Sequence, residues 1–124
     1  MKTLAIIILL ALAGCSSIEP VHDRALHHVV LCWLKEPGNT RHRQQIIEVS
    51  KSFQKIPGVL EVRVGQVVSS EREIVDDSFD VAILVIVPDQ KRLTEYLQHP
   101  IHQKAKKDDL IPLVDKIIVY DFKK

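Results

Sequence analysis

Cysteine is scarce in this chain. There are two in 124 residues, Cys15 and Cys32, alongside one Trp, two Tyr and three Phe. Neither sign of charge dominates, with Lys+Arg at 17 and Asp+Glu at 16. A basic footprint for a nucleic-acid backbone is therefore missing, and nucleic acid is excluded as a partner. Long apolar runs are missing too. The run from Leu4 to Ala13 is ten residues, whereas a spanning helix needs about 20. Internal repeats and low-complexity tracts are absent.

What is present begins with "MKTLAIIILLALAGC". One positive charge, a short apolar run and small residues at its end form the pattern of a secretory signal. Leu12-Ala13-Gly14-Cys15 resembles the lipobox of bacterial lipoproteins. That resemblance implies that residues 1–14 are removed and that Cys15 becomes a lipidated first residue. It also implies that Ser16 after the Cys directs the protein to the outer membrane. Several acyl chains on one residue anchor a protein stably, at about 0.8 kcal/mol per buried CH₂. Residues 15–26 read as this Cys plus a polar tether, and "SSIEPVHDRAL" reaches at most about 36 Å. With Cys15 lipidated, Cys32 is the one remaining thiol, and no intramolecular disulfide can form. It sits in an apolar run and reads as a small buried hydrophobe. Loss of Lys2 leaves 16 basic against 16 acidic side chains, a formally neutral mature chain.

Residues 27–124 are enough for one domain with one core. "HHVVLCWLK" reads as strand 1, ending before Pro37-Gly38. Asn39 or Thr40 caps a helix that carries Ile46, Val49, Phe53 and Ile56 on one face. Pro57-Gly58 stops it. "VLEVRVGQVV", Val59 to Val68, alternates and reads as strand 2. "FDVAILVIV", Phe79 to Val87, is strand 3. Asp89 caps a second helix through "QKRLTEYLQH", broken at Pro100, and a further helical piece follows Pro100. "DKIIVYDF", Asp115 to Phe122, is strand 4. The order β-α-β-β-α-β is ferredoxin-like, an α+β fold with a four-stranded antiparallel sheet. Strands 3 and 4 are apolar at both parities, although two helices cover only one face of such a sheet. The second face therefore calls for a second copy of the chain, a homodimer.

"HHVVLCWLK", "IPGV" (Ile56 to Val59), "FDVAILVIV", "YLQHPIH" and "VYDF" together resemble the stress-responsive A/B barrel domain, over His28 to Phe122. The resemblance implies a ferredoxin-like subunit pairing as a dimeric α/β barrel. Members include a plant polyketide cyclase, which closes a ring by aldol condensation, and stress-induced oligomers without known catalysis. Its catalytic Tyr and His fall on Tyr96 and His102, and its strand-1 His falls on His28. A further pocket His of the cyclase falls on Val81, so that group is missing. An exported lipoprotein has no evident supply of polyketide thioesters, and olivetol-type chemistry is rejected as the literal function.

The cluster in "YLQHPIH" admits several readings. Pro100 breaks the helix and frees carbonyls near Leu97 and Gln98. His99 is placed to donate to one of them. Tyr96 and His102 face inward near His28, either as a buried polar network or as a proton-transfer pair, with the imidazole taking a ketone α-proton and the phenol supporting the enolate oxygen. His99, Val81 and Cys32 complete the expected pocket lining. His22 and His42 are expected to be exposed. No Cys or carboxylate lies at ligand spacing from the histidines, and neither a metal nor another cofactor is assigned. The expectation is a lipid-anchored dimer in the cell envelope, on the periplasmic face of the outer membrane, that binds a small apolar or amphipathic molecule or serves a stress-related role. A cyclase-like or isomerase-like enzyme and a non-catalytic interaction dimer are the alternatives.

Overall fold

The computed structural model describes residues 24–123. The signal segment, Cys15, His22 and most of the tether lie outside the described residues. Within them runs β1 (Leu26–Leu34), α1 (Thr40–Lys51), a 3₁₀ turn (Ser52–Lys55), β2 (Glu61–Gln66), β3 (Val81–Val87) and α2 (Gln90–Gln98). Then follow α3 (Pro100–Ala105), a π-helical turn (Lys106–Leu110), α4 (Ile111–Leu113) and β4 (Val114–Lys123). The sheet order is β2-β3-β1-β4, antiparallel throughout. This is the ferredoxin-like arrangement. No helix among the described residues is long and apolar enough to cross a membrane.

Each element starts where its chemistry directs. The Asn39 side chain accepts from His42 N–H and opens α1; Asp89 accepts from Arg92 N–H and opens α2. Gly58, at φ +87°, turns the chain into β2, and a Cβ there would lie 2.9 Å from Arg92 Cδ. Asp80 is buried, and its carboxylate accepts from Leu34 N–H and Gly38 N–H at 2.9 Å each. It thereby ties the end of β1 to the turn before α1. β3 begins at Val81 rather than at Phe79. The expected second strand is shorter as well: Gln66 pairs with Val81, where β3 begins, so β2 stops there and Val68 is exposed. The fold starts slightly earlier than residue 27, since Ala25 is buried and β1 opens at Leu26.

Alternation along β1 divides the sheet into two faces. Leu26, His28, Val30, Cys32 and Leu34 point under the helices and are buried. Ile46, Phe53, Leu93 and Tyr96 close that core from the helix side, each large side chain contributing about 1.5–3 kcal/mol of transfer free energy. The other face carries Val29, Leu31, Leu84, Ile118, Tyr120 and Phe122, in register with one another. Tyr120 and Phe122 are 57% and 55% exposed. One face is packed and the other is apolar and open, as the two-sided strands required.

Candidate functional site

The helix break at Pro100 is also a restart. His99 is extended, at φ −66° and ψ 141°, and Pro100 occupies the first position of α3, where its missing N–H costs nothing. His99 Nδ1 accepts from Ile101 N–H at 3.2 Å and caps the new helix. The donor to the freed carbonyl is therefore His102 and not His99. His102 Nδ1 lies 3.0 Å from Leu97 O, and Gln103 Nε2 donates to the same oxygen at 2.6 Å. The role expected of His99 has passed to the residue one turn into α3.

This contact fixes the His102 tautomer. A carbonyl oxygen only accepts, so Nδ1 carries the proton, and in the neutral ring Nε2 keeps its lone pair. Burial holds the His102 pKa below the usual imidazole value; the Leu97 carbonyl opposes this, while the charges of His28 and Lys106 add to it. The ring is a neutral base at neutral pH.

Tyr96 is the next member. Its ring centroid lies 4.8 Å from His102 and 5.7 Å from Phe53, which itself lies 5.5 Å from His102. Its exposure is 2%, and burial pushes the phenol pKa above its ordinary value. The hydroxyl takes part in none of the side-chain hydrogen bonds among the described residues.

His28 meets Tyr96 edge-on at 6.0 Å between centroids. On its other side Nδ1 lies 2.6 Å from Asp121 Oδ1. The carboxylate accepts, so His28 also carries a proton on Nδ1. The three residues expected at the site, Tyr96, His102 and His28, are thus brought together. Two were missed. Phe53, assigned only to the core, forms the floor between Tyr96 and His102. Asp121, for which the sequence suggests a Lys or Arg partner or a place at the strand's end, is brought to His28 by the pairing of β1 with β4.

The remaining expected pocket residues fall differently. Cys32 and Val81 are cross-strand partners, fully buried in the core. Burial pushes the Cys32 thiol up to about 11, which makes it unreactive. His99 is half-buried at the helix junction. His42 is half-buried rather than exposed, and its Nδ1 has no partner. No group of three His, Cys, Asp or Glu among the described residues is placed to hold a metal ion.

An opening adjoins the cluster. Ile117 and Val119 share the inner face of β4 with Asp121, yet they are 45% and 43% exposed because the helices leave this edge strand uncovered. A cavity of about 320 Å³ lies where the π-helical turn meets the start of β4, with Lys106, Leu110 and Ile117 in its wall. Its lining stops short of Tyr96, His28 and His102, while the Lys106 charge is felt at His102.

Several solved structures share this fold. A protein from Mesorhizobium loti, described as a dabb family protein with a ferredoxin-like fold, superposes with a TM-score of 0.65 at 21% identity, covering 80% of this chain and 95% of that one. The hydroxynitrile lyase of Passiflora edulis gives 0.69 at 20% identity over 82% and 94%. A dimeric ferredoxin-like protein from Thermobifida fusca gives 0.66 at 16% identity over 82% and 92%. Among curated proteins nothing matches the chain. The family model described as "Stress responsive A/B Barrel Domain" matches residues 26–124, and the chain belongs to that family.

Proposed function

We propose that this is a lipid-anchored envelope protein whose A/B barrel domain binds a small apolar or amphipathic molecule between its helices and β4. One observation carries the binding reading. The Tyr96 ring is buried between two imidazoles, with its hydroxyl outside the side-chain hydrogen bonds of the described residues, beside an apolar strand face that the helices leave open. The hydroxyl is not among the buried side-chain atoms that lack a partner, so it reaches the edge of the core, where an incoming polar group can bond to it. The open sheet face supports a homodimer, which buries Leu31, Tyr120 and Phe122 against the same residues of a second copy. The lipobox resemblance at Cys15 supports anchoring, with Ser16 directing the protein to the periplasmic face of the outer membrane.

The test of binding is mass spectrometry of small molecules carried by the protein purified from its membrane. A stoichiometric apolar or amphipathic molecule retained by wild type and reduced in Tyr96→Phe is the expected result. An empty protein, whose Tyr96 and His102 resonances ignore a panel of apolar probes, overturns the reading. For the anchor, labelled palmitate incorporated by wild type and lost in Cys15→Ser is the expected result.

The His102 tautomer favours a second reading. With Nε2 of His102 unprotonated, the ring can take the α-proton of a carbonyl compound as the Tyr96 hydroxyl donates to the forming enolate oxygen. Asp121 accepts from His28 Nδ1. In a β,γ-unsaturated carbonyl compound, return of the proton from His102 to the γ-carbon of the dienolate completes an isomerisation; alternatively, the enolate attacks a second carbonyl and His102 passes the proton to the new alkoxide, which completes an aldol closure. The hydroxynitrile lyase of Passiflora edulis has the same fold and lends this reading support. Deuterium exchange at the α-carbon of a bound ketone, abolished in His102→Gln, would distinguish it from binding alone.

A further inference from the structure

We infer that the molecule taken up beside β4 is an anionic amphiphile, a single aliphatic chain ending in a carboxylate, with its head group at Lys106 and Lys35. This rests on the reading of the cleft as a ligand site and names the chemistry of its occupant.

The cavity of about 320 Å³ has an apolar floor of Leu110, Ile111, Val114 and Ile117. Charge lies at its rim. Lys35 Nζ donates to Ile111 O at 2.9 Å, which fixes the ammonium and leaves two of its three protons free. Lys106 has no salt-bridge partner among the described residues, whereas its neighbour Lys104 is paired with Asp108. Lys116 also borders the cavity, but its Nζ is 4.4 Å over the Trp33 ring and is engaged there. Asp115 is the one carboxylate in the lining. Two available ammonium groups therefore face one carboxylate. A cation finds no favourable balance here, and a neutral alkane leaves both ammonium groups unused. An anion with an aliphatic body uses the rim and the floor together.

Size narrows the class further. About 320 Å³ is at the small end of ligand pockets, which run from about 300 to 1,000 Å³. A short acyl chain fits; a two-chain membrane lipid does not. The π-helical turn at Lys106–Leu110 is a second sign, since such turns are rare and gather at functional sites. It places Lys106 at the rim while turning Leu110 inward, where it is buried. Burial chiefly lowers the His102 pKa, and the Lys106 charge adds to it as the smallest contribution, which links the cavity rim to the neighbouring cluster. A carboxylate bound at Lys106 neutralises that charge and raises the His102 pKa.

The experiment uses the full chain in phosphatidylcholine nanodiscs, with empty nanodiscs as the blank. Binding of [1-¹³C]octanoate and of octanol is followed by NMR, and His102 is titrated with and without octanoate. The expected result is octanoate at least about tenfold tighter than octanol, as a charge-assisted contact gives. Lys106→Met or Lys35→Met should bring octanoate down towards octanol while leaving octanol unchanged, which also shows that the variant is folded. The His102 pKa should rise when octanoate binds wild type and stay put in Lys106→Met. Equal affinities for octanoate and octanol overturn the anionic class and leave the ligand cleft standing. Octanoate binding that ignores both lysine substitutions also overturns it. Absence of binding by either probe removes the cleft reading along with it.

Discussion

His28 on β1 and Asp121 on β4 stand opposite one another in the antiparallel register and join Nδ1 to Oδ1 at 2.6 Å. The histidine is buried, and the Asp side chain is 43% exposed at the sheet edge. Solvent therefore screens the pair, and its coupling should be modest. A double-mutant cycle of His28→Ala and Asp121→Ala, read by urea denaturation, should give about 0.5–1 kcal/mol. Nitrogen-15 NMR should find the His28 proton on Nδ1. Zero coupling together with an Nε2–H tautomer would contradict the assignment.

Tyr96 separates packing from hydrogen bonding. Its ring fills the core between Phe53, His28 and His102, but its hydroxyl is outside the hydrogen bonds of the described residues. Tyr96→Phe should thus change stability by less than about 0.5 kcal/mol. Tyr96→Ala opens a cavity and should cost about 3–5 kcal/mol. A loss above about 1 kcal/mol in Tyr96→Phe, measured by thermal unfolding, would make the hydroxyl a structural bond.

Much of this was legible in the sequence, and the exceptions have physical causes. The caps at Asn39 and Asp89 are local chemistry and stand where the residues put them. Strand parity marked both faces of the sheet. The pairing of His28 with Asp121 spans 93 residues, and depends on a register that only the assembled sheet defines. The exchange of roles between His99 and His102 came from placing the donor to the freed carbonyl at the break itself and not in the helical piece expected after Pro100. Proline at the first helical position is favourable, so the chain re-enters a helix at once and brings His102 back to Leu97. The π-helical turn has no marker in "KKDDL". The extent of the ligand cleft depends on how far the helices reach over β4, which no local pattern encodes.

The open sheet face carries a prediction about assembly. Leu31 is opposite Ile118 on one side and Ala82 on the other, at the centre of the apolar face. Leu31→Arg puts a charge where the proposed dimer has no partner for it. Sedimentation should show wild type as a dimer and this variant as a folded monomer. A variant that remains dimeric at low micromolar concentration would move the interface to another face.

The pH dependence of stability tests the environment of His102. Its folded pKa is lowered, chiefly by burial, while the unfolded chain has the ordinary value near 6.5. Above that value neither state binds the proton, and the contribution of the buried neutral ring is complete. As the pH falls below about 6.5, the unfolded chain binds a proton that the native ring resists, so native stability declines until the depressed folded pKa is passed. His102→Gln removes this titration. Between pH 7.5 and 5, the wild type should lose more stability than His102→Gln when both are followed by urea midpoints. Parallel curves for the two proteins would mean that His102 is as well solvated in the native state as in the unfolded one. They would thereby remove its standing as a neutral base beside Tyr96.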